Sequence, residues 1–114
     1  MIKLYGVPTC KKIRDTKALL DNNGIEYNFI NVKKTPIDED HLRKIVQQVG
    51  LNKAVNKKGA TFRKLGLKDQ KLNEEQLFQW LFKEQGMITR PLIEKDGRFW
   101  IDYNLDAIEQ FVNE

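Results

Sequence analysis

Apolar positions change their period repeatedly along this chain of 114 residues, and each change marks an element. Ile2 to Tyr5 is a short β-prone run, broken by Gly6 and Pro8. Over residues 11 to 23 the spacing turns helical, with Ile13, Thr16, Leu19, Leu20 and Asn23 near one face and Gly24 as a left-handed stop. Glu26 to Val32 sets Tyr27, Phe29 and Ile30 among Asn28 and Asn31, which predicts a second strand. The chain therefore opens β-α-β, a crossover that joins parallel, adjacent strands with a right-handed connection.

A second helix is predicted from Thr35 and Pro36. Thr35 serves as cap, Pro36 suits the first helical position, and Asp38 to Asp40 favour the positive end of the dipole. Leu42, Ile45, Val46 and Val49 supply its stripe and Gly50 ends it. Residues 51 to 72 are the least regular, with a short helix expected near 51–55 and another turn around 61–66. Asn73 opens a further helix with Leu77, Trp80 and Leu81 on one side, widened by Phe78 and Phe82, running to Gly86. Two short strands follow, Leu92 to Glu94 and Arg98 to Ile101, around Asp96-Gly97, the strongest short hairpin signal. Asn104 then caps a last helix with Leu105, Ile108, Phe111 and Val112 apolar. No repeat, linker or low-complexity tract interrupts this order. The sum is one α/β domain over residues 1–114: βαβ, a helical insertion over about residues 36–86, then ββα around a mixed four-stranded sheet. That order is the thioredoxin topology.

Composition narrows the class. No apolar run approaches the roughly 20 residues that cross a bilayer, and Met1 to Tyr5 is followed by no apolar signal core, so a cytoplasmic address without membrane association is expected. Net charge is +4, with basic pairs at Lys11-Lys12, Lys33-Lys34, Lys57-Lys58 and Arg63-Lys64. Such an excess favours anionic partners. It is too small, and too lacking in a recognition-helix motif, to predict direct nucleic-acid binding.

Chemistry concentrates at Cys10, the one cysteine. It can form no internal disulfide, so an oxidised Cys10 is resolved by a thiol from another molecule. A lone cysteine is more often a small buried residue than a reactive one. Here it falls in a strand-to-helix turn, Pro8-Thr9-Cys10-Lys11-Lys12, where helix N–H groups and the dipole stabilise an anion. Lys11, Lys12 and Arg14 add positive charge within a turn, conditions that favour the thiolate. The same donors suit an oxyanion in front of the sulfur.

Arg90-Pro91 is the second constellation. A proline directly before a strand is a candidate for the rare cis form. In thioredoxin topology this segment passes beside the cysteine, so Arg90 would bring a guanidinium fork to an anion there. His41, the only histidine, reads as solvated beside Asp38 and Asp40. With one histidine and one cysteine, no zinc-type metal site is expected. Trp80 and Trp100 sit in apolar patterns and read as core.

The opening Tyr5-Gly6-Val7-Pro8-Thr9-Cys10, the stretch Lys57-Lys58-Gly59-Ala60-Thr61-Phe62-Arg63-Lys64-Leu65-Gly66, and Thr89-Arg90-Pro91 before a hairpin together resemble the arsenate reductase family. This thioredoxin-fold group also holds the Spx-type transcription regulators and YffB-like proteins, and the resemblance is nearest to the YffB-like branch. It implies that Cys10 is the catalytic or redox cysteine, that Arg90 binds an oxyanion, that Pro91 is a structural cis-proline, and that Arg14 is the family's basic position on the first helix. A second oxyanion-binding arginine of the family is matched by Lys58 or its neighbour Lys57, and Asp102 stands near where a third would fall. In arsenate reductases the thiolate attacks arsenate and an external thiol with glutaredoxin completes the reduction. The implied function is a thiol-dependent reductase with no bound cofactor, using a low-molecular-weight thiol of the glutathione type, or a glutaredoxin-like protein, as co-substrate. The alternative is a non-catalytic regulator that, like the Spx-type proteins, docks on RNA polymerase through the face near Gly50 and the basic 57–64 segment. Position 13 is Ile13, so the Cys-x-x-Cys switch of those regulators has no second thiol here.

Overall fold

The computed structural model describes residues 1–114. β1 (Ile2–Gly6) leads through Cys10 into α1 (Lys11–Asn22), and β2 (Tyr27–Asn31) returns parallel to β1, with Leu4 opposite Phe29. Four helices follow: α2 (Glu39–Val49), α3 (Leu51–Ala54), α4 (Ala60–Lys64) and α5 (Glu74–Lys83). β3 (Leu92–Lys95), β4 (Arg98–Ile101) and α6 (Leu105–Asn113) complete the chain. The sheet order is β2-β1-β3-β4, with β3 antiparallel to both neighbours. This is the predicted thioredoxin-like α/β arrangement.

Alternation along β1 divides the interior. Ile2 and Leu4 join Ile13, Leu20, Ile93, Ile108, Phe111 and Val112 on the face covered by α1 and α6. Tyr5 turns to the other face, where Val32, Leu42, Ile45, Phe78 and Leu81 bring the inserted helices onto the sheet. The turn Asp96-Gly97 adopts left-handed backbone at both residues (φ 52° and 77°), as an Asp-Gly hairpin requires. The side chain of Asn104 caps α6 by accepting from the N–H of Ala107.

Three expectations are corrected. α2 starts at Glu39, not at Pro36, and its cap is Asp38, which accepts from the N–H of His41. The cause is long-range. The side-chain amide of the buried Gln85 both accepts from the N–H of Ile37 and donates to its carbonyl, each at 2.7 Å, and holds that backbone out of the helix. α5 likewise stops at Lys83, three residues before Gly86, and a 3-10 turn over Gln85–Met87 takes over.

The third correction concerns His41, which is not simply solvated. Its Nε2 lies 2.8 Å from Glu94 Oε1, and the hydroxyl of the buried Tyr5 donates to the same oxygen at 2.8 Å. His41 also sets its ring edge-on to Phe99, 5.7 Å between centroids. Burial pushes the Tyr5 phenol up, and its hydrogen bond to Glu94 adds to the effect. For Glu94, burial opposes ionisation, but hydrogen bonds from Tyr5 and His41 outweigh it and hold the carboxyl below its ordinary value. Because that value lies below the unfolded one, ionised Glu94 stabilises the fold above the ordinary carboxylate range, and the contribution disappears as pH falls through the lowered value. Urea unfolding followed against pH is therefore expected to show a shallower acid-side loss in Glu94→Gln. Glu94→Ala, which strands the Tyr5 hydroxyl, should cost about 1–3 kcal/mol at neutral pH.

Candidate functional site

The turn after β1 makes Cys10 the N-cap residue of α1, in extended backbone (φ −81°, ψ 127°). Its carbonyl accepts from the N–H groups of Ile13 and Arg14, each at 3.1 Å, while the amides of Lys11 and Lys12 precede the first helical bond. The half-buried thiol makes no capping bond and is free. It is therefore available, at a twelve-residue helix's positive end.

Arg90 reaches the same place from the segment before β3. The Arg90-Pro91 bond is cis, as expected, and Pro91 is buried. Arg90 is half-buried, and its side chain makes one hydrogen bond, 3.4 Å from Nη1 to the carbonyl of Gly86. No carboxylate stands within ion-pair distance of it. Cys10 and Arg90 line one cavity of about 290 Å³ together with Thr9, Lys33, Asn56 and Thr61 among others. Its lining includes no aspartate or glutamate, so its charged groups are the cations Lys33 and Arg90, set among polar residues and the apolar Val7, Phe62 and Met87.

The other basic residues expected here are directed elsewhere. Lys11 pairs with Asp15 at 2.8 Å, Lys12 sits 5.8 Å from the centre of the Tyr103 ring, and Arg14 donates to the carbonyl of Thr9. Hydrogen bonds from Lys11 and from Tyr103 hold the Asp15 carboxyl below its usual value, which ties α1 to the loop before α6. Lys58 is exposed and does not line the cavity, and its neighbour Lys57 donates to Asn52. The structure thus brings Cys10 and Arg90 together and leaves Lys58, Lys11, Lys12 and Arg14 outside.

Three polar lining residues escaped sequence reading. Asn56 arrives because residues 54–56 pair with 87–89: Thr89 donates from its backbone to Ala54, Asn56 to Met87, and Val55 bridges Ile88. A pairing carried by so few residues leaves no alternating pattern to find. Thr61 comes from α4, and Lys33 from the turn after β2, where the Asn31 side chain accepts from the Lys33 N–H at 3.0 Å. Only the pairing Lys33-Lys34 hinted at the last.

A thioredoxin-like sheet that presents one cysteine at a helix start, in a cavity shared with the arginine before a cis-proline, defines a protein with a solitary, accessible thiol. The chain belongs to the ArsC family, whose model matches residues 5–111. It is 30% identical over 114 residues to the global transcriptional regulator Spx of Listeria innocua, covering 98% of this chain and 87% of that protein. Among solved structures, a YffB protein superposes with a TM-score of 0.90 at 29% identity, over 98% of this chain and 99% of that one. An arsenate reductase from Vibrio cholerae does so with a TM-score of 0.81 at 28% identity, over 96% and 95%. No helix is long and apolar enough to cross a membrane.

Proposed function

We propose that this protein is a thiol-dependent reductase in which Cys10 is the single nucleophile and an external thiol resolves the adduct. One observation carries the reading: Cys10 and Arg90 share a cavity whose lining holds no carboxylate. In the first step the Cys10 thiolate attacks one sulfur of a disulfide substrate. The disulfide bond breaks, a new bond forms to Cys10, and the other half leaves as a thiolate. In the second step an external thiol, of glutathione type or from a glutaredoxin-like protein, attacks the adduct and frees Cys10. That attack carries the retained half away as a mixed disulfide with the external thiol, and a second equivalent of thiol releases it, so the substrate ends as two thiols and two external thiols end as one disulfide. Arg90 holds the anionic part of the substrate, with the planar fork suited to a carboxylate or oxyanion. No bound cofactor enters either step, and the expected site of action is the cytoplasm.

Incubation with 2-hydroxyethyl disulfide should give an intact-mass adduct on Cys10, and added glutathione should remove it with turnover. Absence of the adduct overturns the reading. Arsenate in place of the disulfide, with glutathione and glutaredoxin supplied, tests whether the oxyanion chemistry of arsenate reductases extends to this chain.

A second reading draws on the similarity to the regulator Spx. Gly50, Lys57, Lys58, Arg63 and Lys64 are all exposed, as a docking face for RNA polymerase requires. Reversing the charge at Lys57 and Lys58 should then abolish capture of polymerase, while Cys10→Ser leaves capture intact. The opposite pattern, with activity lost in Cys10→Ser and no polymerase captured by the unaltered chain, selects the enzyme.

A further inference from the structure

Gly86 is the point where three polar groups of the cavity meet. A Cβ placed there would stand 3.3 Å from Lys33 Cε, 4.0 Å from Lys33 Nζ and 3.9 Å from Thr61 Oγ1. The carbonyl of the same glycine takes the Arg90 bond. An ammonium, a hydroxyl and a guanidinium therefore converge on a residue whose lack of a side chain lets the Lys33 stem lie close over the backbone. Lys33, like Arg90, has no carboxylate within ion-pair distance. Lys33, Thr61 and Gly86 also line a second hollow of about 430 Å³, whose charged residues are Lys33, Lys83 and Glu84. A five-atom oxyanion held at Arg90 would leave most of the room unfilled.

We infer that Lys33, with Thr61, forms a carboxylate seat over Gly86, and that this seat selects extended, carboxylate-bearing disulfides as the exchange partners of Cys10. The inference rests on Cys10 being the nucleophile. It assigns the second cation of the site to Lys33 on β2's exit turn rather than to Lys58, where the family pattern points. The chemistry is the exchange already written, with the carboxylate of the disulfide on Lys33 while Cys10 attacks its sulfur. The leaving half departs as a thiolate and no other reactant is needed.

The test compares rates of adduct formation on Cys10, read by intact mass, for glutathione disulfide (anionic), 2-hydroxyethyl disulfide (neutral) and cystamine (cationic). In the unaltered protein the order should be anionic, then neutral, then cationic. Lys33→Met should lower the ratio of the anionic to the neutral rate by about two- to fivefold, the worth of one solvent-facing ion pair. Gly86→Ala should lower it as well, by intruding on the seat. Lys58→Met should keep the ratio. A ratio that falls in Lys58→Met as much as in Lys33→Met, or that moves in neither, overturns the seat at Lys33 while leaving the nucleophile standing. Failure of Cys10 to react even with the neutral disulfide overturns both. A titration of Cys10→Ser with glutathione gives an independent reading: amide shifts should centre on Thr61 and Gly86 and weaken in the Cys10→Ser/Lys33→Met protein. Shifts located elsewhere count against the seat.

Discussion

Cys10→Ser is expected to abolish adduct formation with every disulfide while moving the unfolding free energy by no more than about 0.5 kcal/mol. The asymmetry follows from the site. The thiol is half-buried, makes no capping bond, and is replaced by an atom of similar shape, so little of the native packing is disturbed. The exchange, by contrast, requires a sulfur that attacks and then leaves as a thiolate, and a hydroxyl does neither. Retained turnover in the serine protein, with folding confirmed by a urea melt, would remove Cys10 from the mechanism. Arg90→Lys is the informative companion, because it keeps the charge and loses the fork. A rate loss confined to anionic substrates would place the guanidinium on the substrate rather than on the sulfur.

The second large effect concerns the seat of α1. Ile13 is fully buried, and truncation to alanine should cost about 2–5 kcal/mol, as lost contacts and a residual cavity combine. Gly6 faces it across the first turn. A Cβ there would overlap Ile13 Cδ1 and stand 2.6 Å from its Cγ1, so Gly6→Ala overpacks the junction by about 1–3 kcal/mol. The two changes remove and add volume at one point. The double variant should therefore be more stable than the sum of the singles predicts, by about 0.5–3 kcal/mol in a denaturant cycle. Strict additivity would show that the glycine is required for some reason other than Ile13. Since this contact sits under the turn that carries Cys10, the Gly6→Ala protein should also react more slowly with disulfides.

What the sequence made legible was the part governed by neighbours in the chain. The opening strand and helix, the Asp96-Gly97 hairpin and the Asn104 cap are local signals, and each formed where its residues placed it. Arg90 and Pro91 were legible for a different reason: their motif resembles a known family, and topology then carries the arginine to the cysteine. The misses share one physical cause. Gln85 delays α2 from forty-eight residues away, and nothing near Thr35 or Pro36 records it. His41 looks solvated beside two aspartates until β3 supplies Glu94. Lys33 and Lys58 are both members of basic pairs, and only the folded chain shows which one stands over Gly86. Charge is easy to read along a sequence, whereas the direction a lysine takes is not.

The burial of Ile13 one turn after Cys10 has a kinetic consequence. A second thiol at that place would sit at a high effective concentration and clear an adduct in a first-order step, whatever the surrounding solution contained. With an aliphatic side chain there instead, the lifetime of an adduct on Cys10 is inversely proportional to the concentration of the thiol that meets it. The fraction of the protein carrying an adduct therefore rises as that thiol is depleted and falls as it is restored. Dilution alone, at constant composition, lengthens the lifetime.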